Sequence, residues 1–371
     1  MIKFDRNKPF NNLPLLPPNV DLEQDTEVLK KLISTSRALA TVSGSINRLP
    51  NPYMLINTIA LQEAKSSTEI ENIFTTEDEL YKAISNSKSE EKVNAATKEV
   101  LKYREALWSA YHYLQEHGTI DTRLIKNIAN QIKETEMGFR SPQARVVIRR
   151  GASEFRPGEV IYTPPRGENV LNTLVDNLLV FLNDDKKYTM DPLLKMCIAH
   201  YQFEAIHPFQ DGNGRAGRIL NLIYLVSKGL ISQPSLYLSK YIILNKDDYY
   251  FILSGVTQRN DWKSWVMYML NAVEYTSNHT NMMVNEIIEQ MEATLSYGKE
   301  KIKWYNKDVN EAIFSQPYIK AGLIGQVIGK SSRTTITKYM GELVEHKILS
   351  PQKEGKEIYY LNNDLMRILE A

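Results

Sequence analysis

The residues best equipped for chemistry lie in one run of the 371-residue chain: His207, Pro208, Phe209, Gln210, Asp211, Gly212, Asn213, Gly214, Arg215, Ala216, Gly217 and Arg218. His207, neutral near pH 7, can take a proton from an incoming hydroxyl. Asp211 offers the hard carboxylate oxygen that Mg²⁺ prefers when it bridges phosphates. Gly212 and Gly214 permit positive φ and let backbone approach a ligand closely. Arg215 and Arg218 are permanent charges whose planar forks match phosphate oxygens. Base, metal ligand, anion cradle and cationic clamp fall within twelve residues, and phosphoryl or nucleotidyl transfer uses all four. Taken singly, each has a plainer reading: a His after a helix is a cap, an Asp-Gly pair is a turn, an Arg on a helix is a solvated charge. The joint arrangement is what makes coincidence improbable.

The flanks say how the run is positioned. Leu194, Ile198, Tyr201 and Ala205 recur at helical spacing before it, as do Ile219, Leu222, Ile223 and Val226 after it. The run is therefore expected to be a tight loop between two apolar-faced helices. Pro208 stops the first helix near His207. The second starts near Asn213, so its free N–H groups and dipole face the loop as an anion site. Two rival motifs fail. Gly212-Asn213-Gly214-Arg215-Ala216-Gly217 formally fits GxGxxG, but a helix precedes it where a strand is required. Gly329-Lys330-Ser331 imitates the end of a P-loop, but Ile324 stands where its first glycine should be.

The run matches the motif HPFx(D/E)GNGRxxR of the Fic family at every specified position, and the chain is identified by it as resembling that family. The likeness extends upstream to Val160-Ile161-Tyr162-Thr163-Pro164-Pro165, which resembles the family's target-binding flap. Downstream, Tyr237-Leu238-Ser239-Lys240-Tyr241 and Tyr249-Tyr250 resemble the helices that complete the core. It covers roughly residues 57–275. The resemblance implies Mg-ATP as cosubstrate and transfer of AMP to a Tyr, Thr or Ser hydroxyl of a target protein. It implies His207 as general base and Asp211 as the Mg²⁺ ligand. Phe209 would anchor the loop, and Gly212, Asn213 and Gly214 would line the phosphate cradle. Arg215 would steady loop and phosphates, Arg218 would hold the terminal phosphate, and Tyr249 would line the nucleotide. The residues by themselves did not choose AMP over phosphate.

Residues 59–80 carry a second resemblance. Ser67-Thr68-Glu69-Ile70-Glu71-Asn72 matches the family's inhibitory pattern (S/T)xxxE(G/N), here on the N-terminal side of the core. Helical spacing puts Ser67 and Glu71 on one face. The resemblance implies that Glu71 pairs with Arg218 and blocks productive ATP binding. The plainer reading is a solvated glutamate, of which Glu63, Glu69 and Glu77 are local examples.

Around this centre the chain divides into three expected parts. Residues 1–114 form a Pro-rich arm and a helical region, with a break at Leu49-Pro50-Asn51-Pro52 and a polar loop over 85–92. Residues 115–300 form the catalytic core. Within it Val146-Val147-Ile148 and Val160-Ile161-Tyr162 read as a hairpin with a long loop, and helical pattern resumes at Val170. Residues 301–371 resemble a winged helix-turn-helix. Helices are expected near Asn310, over 320–328 and from an N-cap at Ser331-Ser332 to Val344, with strands at 348–350 and 358–361 around a turn at Lys353-Glu354-Gly355-Lys356. The fold class is thus mainly α: a Fic helical core with a β-hairpin flap, an N-terminal helical region and a C-terminal winged helix.

Partners follow from charge and flap. The net charge of +1 advertises neither nucleic acid nor an acidic membrane. The target protein is expected on the 145–162 flap, adding a strand to its edge. Five arginines against one glutamate between Arg140 and Arg156 suit a solvated edge or an acidic target surface better than RNA. Helix residues 331–345, with Lys330, Arg333, Thr334, Thr335 and Lys338, leave DNA open as a partner, although 11 Lys and Arg against 8 Asp and Glu over 301–371 is mild for that role. A homodimer is left open as well. The single cysteine, Cys197, excludes a disulfide scaffold and reads as a small buried thiol. The amino-terminal ten residues lack an apolar signal core and no long uncharged apolar run follows, so a cytoplasmic location is expected, with no membrane. The same site could run as hydrolysis that removes AMP, or serve a DNA-binding regulator that senses nucleotide.

Overall fold

The computed structural model describes residues 4–49, 52–85, 93–136, 138–150, 158–329, 332–354 and 357–370. Pro50, Asn51, the 86–92 part of the polar loop, the flap tip 151–157, Lys330, Ser331, Gly355 and Lys356 lie outside them.

Helices dominate because caps and apolar stripes agree. Helix α1 (Thr26–Ile46) starts where the Asp25 carboxylate accepts from Glu27 and Val28 N–H. It packs along α11 (Trp262–Lys301), a 40-residue helix capped by Asp261. Helix α2 (Pro52–Ile70) lies between α4 (Ala95–His117) and α9 (Leu238–Leu244). Short α3 (Glu77–Ser85) follows α2. Helices α5 (Thr122–Lys133) and α6 (Val170–Asn183) flank the central pair, α7 (Pro192–Ile206) and α8 (Asn213–Ser227).

That central pair departs from the amphipathic expectation. Every residue of α7 from Leu193 to Ile206 is buried, and nearly every residue of α8 is. A helix enclosed on all sides shows no polar stripe. Its polar residues are tethered instead: Lys195 Nζ lies 2.7 Å from Asp185, and Gln202 donates to the Pro14 carbonyl at 2.8 Å. Cys197 is a free buried thiol, as expected.

The flap is a two-stranded antiparallel ribbon, β1 (Ile148–Arg150) with β2 (Glu159–Tyr162). Its first strand starts at Ile148, not at Val146. Arg140 ties the preceding segment to the catalytic loop through its N–H to the Pro208 carbonyl, and the strand register with β2 begins only at Ile148. The amino-terminal arm lies across the flap exit: Phe10 N–H donates to Thr163 at 3.0 Å, and Phe4 stacks on Tyr162. Helix α10 (Lys246–Arg259) closes the site from the other side.

The C-terminal module comprises α12 (Lys307–Ile313), β3 (Tyr318–Ile319), α13 (Ala321–Val327), α14 (Arg333–Glu345), β4 (Ser350–Glu354), β5 (Glu357–Leu361) and α15 (Asn363–Glu370). Its sheet order is β3-β5-β4. Ile348 and Leu349 are not strand residues: both N–H groups donate to the Leu343 carbonyl and close the end of α14, so β4 begins at Ser350. Ser332 takes the cap position of α14 without a side-chain bond. Strand β3 and helix α15 were not anticipated. Among the described residues no helix is long and apolar enough to cross a membrane.

Candidate active site

Helix α7 ends at His207, whose backbone turns left-handed at φ 50°. The loop then folds inward. Phe209 is fully buried against Phe139, with ring centroids 5.6 Å apart. Asn213 closes the loop from both ends: its Oδ1 accepts from Phe209 N–H at 2.8 Å, and its Nδ2 donates to the Phe209 carbonyl at 2.9 Å. Its side chain thus shapes the cradle rather than facing it. Gly212 sits at φ 81°, a conformation that a side chain would strain, and α8 starts immediately after it.

His207 is set up as a base. Its Nδ1 lies 3.3 Å from the Glu204 carbonyl, which can only accept, so Nδ1 carries the proton and Nε2 keeps its lone pair. Burial pushes its pKa down to about 4, with Arg140 adding to the effect. The ring is therefore neutral at physiological pH.

Asp211 is the exposed member, with 61% of its side chain open. One oxygen accepts from Gly212 N–H, and the other lies 2.6 Å from Lys133 Nζ. Burial disfavours its charge, but the Lys133 hydrogen bond and charge outweigh this and hold the carboxyl below its usual range. The ammonium stands in for a cation there. A single hard carboxylate at the mouth of an anion cradle suits Mg²⁺, which takes one or two protein carboxylates plus phosphate oxygens.

Arg218 is buried and fully engaged. Its Nε donates to Ser67 Oγ at 2.7 Å, and its Nη2 to the Ser67 carbonyl at 2.8 Å and to Glu71 Oε1 at 2.9 Å. Burial works against the charge, yet the Glu71 carboxylate holds the guanidinium above the ordinary arginine range. A Cβ placed on Gly214 would meet Glu71 Oε1 at 2.5 Å. Only glycine lets the carboxylate reach this first turn of α8, where unpaired N–H groups favour an anion. Asn72 explains its own place in the pattern: helix α2 must end here, and Asn72 adopts φ 62° while Ile73 N–H donates to Thr68. Its Oδ1 accepts from Lys246 at 3.0 Å.

Two expected site residues point elsewhere. Arg215 pairs with Glu99 of α4 and is buried. Tyr249 is buried with its hydroxyl 3.0 Å from His200 Nε2. Arg140 and Glu204 escaped the sequence reading, and three glutamates read as solvated are buried or partly buried. Arg140 donates to the carbonyls of Pro165, Ile206 and His207, joining the flap exit to the catalytic loop. Glu63, read as solvated, is buried; it accepts from Ser239 N–H, Ser239 Oγ and Tyr103 and pins α2 in place. Glu69 and Glu77 share Lys65 and are partly buried. Glu204, one turn before His207, is buried with Oε1 unpartnered among the described residues.

The sequence matches three family models: Fic/DOC family N-terminal over residues 29–112, Fic/DOC family over 114–225, and the SoFic-like protein adenylyltransferase C-terminal domain over 288–365. The chain belongs to the Fic family. Among curated relatives, protein adenylyltransferase fic-1 of Caenorhabditis elegans is 29% identical over 156 residues, 41% of this chain and 28% of the relative. A probable protein adenylyltransferase of Aquifex aeolicus is 42% identical over 81 residues, 22% of this chain and 24% of the relative. The matches thus span about a quarter of the length of these two relatives. Among solved structures, a Fic family protein of Desulfovibrio desulfuricans G20 superposes with a TM-score of 0.53 at 20% identity, covering 88% of this chain and 95% of that one. A Fic-1 fragment of C. elegans gives 0.52 at 18% identity, covering 70% and 74%. These superpositions establish the Fic fold of the chain.

Proposed function

We propose that this Fic protein is an adenylyltransferase that moves AMP from ATP to a hydroxyl of a target protein, and that Glu71 inhibits it. The observation that carries the reading is the Glu71 carboxylate seated on Arg218 at the N-terminus of α8, an internal anion in an anion site beside a neutral histidine. With Glu71 withdrawn, Arg218 and the first turn of α8 are free to hold phosphates. His207 Nε2 accepts the proton of the target hydroxyl, the hydroxyl oxygen bonds to the α-phosphorus, and pyrophosphate leaves. Asp211 would hold Mg²⁺, which supplies charge neutralisation of the phosphates when bound.

The target is a protein whose extended segment lies along the flap, bringing its hydroxyl toward His207. Arg149 and Arg150 are exposed on β1 and favour acidic neighbours in that segment. The placement of Glu71 also favours a second reading, in which its carboxylate orients a water and the site removes AMP. Helix α14 exposes Arg333, Thr334 and Lys338, and a band shift that depends on Arg333 would test a contact with DNA. A homodimer would be read by light scattering.

The deciding experiment is labelled ATP in cell lysate with the Glu71→Gly protein. Label on the α-phosphate should transfer to protein and label on the γ-phosphate should not. The reverse pattern would make the enzyme a kinase.

A further inference from the structure

Where helices α2, α3 and α4 meet the C-terminal module, a cavity of about 560 Å³ opens to solvent. Leu61 of α2, Tyr81 and Ile84 of α3, Trp108 of α4 and Leu323 of α13 form its apolar wall. Its size and lining are those of a small-molecule site. None of its described lining residues belongs to the catalytic loop.

Arg104, one turn before Trp108 on α4, lines the same cavity. Arg215 is held by Glu99 and Arg218 by Glu71, but among the described residues no carboxylate pairs with Arg104. Burial works against its charge, and Glu105 alone opposes that. Glu105 is exposed at the rim, where water and salt screen its field. Two neighbouring polar groups are already engaged: the Tyr81 hydroxyl accepts from Gln62 at 2.9 Å, and the Gln316 amide donates to Ser85 Oγ at 3.3 Å. A half-buried guanidinium without a counter-ion, beside an apolar cavity, calls for an anion with an apolar body.

We propose that this cavity binds a small aromatic acid, with its ring among Tyr81, Trp108 and Leu323 and its carboxylate on Arg104. The planar fork of one arginine matches the two oxygens of a carboxylate. No second cation is found among the described lining residues to hold a dianion such as phosphate. The rings of Tyr81 and Trp108 favour an aromatic body. Bound there, the acid touches α2 and α13 at once. It is a tie between the C-terminal module and the helix that leads to Glu71. Binding needs no nucleotide and is independent of the transferase reading.

The test is calorimetry on the full wild-type chain with indole-3-acetate and with its uncharged amide, indole-3-acetamide. The acid should bind with a Kd of about 1 mM or below, and the amide about tenfold more weakly. Arg104→Met keeps the apolar length of the side chain and should lower the acid to the affinity of the amide. Leu323→Trp fills the cavity and should block both. Failure of the acid to bind, or equal binding of acid and amide by wild type, overturns the proposal. So does an Arg104→Met protein that binds the acid as wild type does, or unchanged binding by Leu323→Trp. Should Arg104→Met not fold, Arg104→Gln must show the same loss or the proposal fails. None of these measurements uses ATP, so their failure leaves the transferase reading intact.

Discussion

Glu71 Oε1 lies 2.9 Å from Arg218 Nη2, and the same guanidinium also holds Ser67 by two further bonds. Arg218 is 2% exposed in its side chain, whereas Glu71 is 36% exposed. The asymmetry matters. Removing Glu71 takes a carboxylate from the buried guanidinium and leaves its bonds to the Ser67 carbonyl and hydroxyl in place. The Glu71 carboxylate is thus the solvent-facing partner of a buried cation beside the first turn of α8.

Glu71→Gly should raise AMP transfer, including self-modification, by roughly ten- to a hundredfold, the usual range of coupling between sites. The double variant Glu71→Gly with Arg218→Ala should lose that gain. Incorporation of α-phosphate label into protein reads both. Transfer by Glu71→Gly no faster than wild type, on a substrate that wild type modifies, would contradict autoinhibition.

His207→Ala should lower transfer by ~10²–10⁴ while ATP binding is largely kept, since the ring is a proton acceptor and not part of the anion cradle. The pH profile adds a sharper mark. With its pKa near 4, His207 stays unprotonated through pH 5–6, where an ordinary histidine would lose activity. An acid limb of kcat/KM at pH 6.5 in the Glu71→Gly background would place the essential base elsewhere.

Asp211→Ala should lose the Mg²⁺-dependent transfer, with the residual rate needing more Mg²⁺ than wild type. Its carboxylate is exposed and paired only at the loop mouth, so unfolding should move little. Full activity with an unchanged Mg²⁺ titration curve would mean the metal is held by other groups.

Much of this site was legible because its information is local. His207, Asp211, the glycines and Arg218 fall within one loop and one helix turn, and helical spacing was enough to put Ser67 and Glu71 together. What stayed hidden depends on contacts between distant segments. Arg140 reaches the His207 carbonyl across 67 positions, and Glu63 reaches Ser239 across 176. No spacing rule announces such pairs, and a lone Glu reads as solvated until a neighbour buries it. The enclosed helices α7 and α8 hid Glu204 for the same reason, since a helix buried on every side shows no face. Helix α15 is a different kind of miss: Leu365, Met366, Ile368 and Leu369 had a helical rhythm but followed directly on a strand.

Glu204 also predicts how stability should respond to pH. Its folded pKa, about 7, lies above the ordinary 4.5, so between those values the unfolded chain is ionised while the folded chain keeps its proton. The folded state binds more protons, and stability falls as pH rises from about 4.5 through 7. His207 works in the opposite sense and lower down. Its folded pKa of about 4 lies below 6.5, so stability is lost as pH falls from about 6.5 toward 4. Glu204→Gln removes the first effect and leaves the second. Its melting temperature relative to wild type should climb between pH 5 and pH 8, by an amount corresponding to roughly 3 kcal/mol at most, at about 1.4 kcal/mol per pH unit. Thermal unfolding of both proteins across that range checks it. A difference that stays flat with pH would show that the Glu204 carboxyl ionises within the fold as readily as outside it.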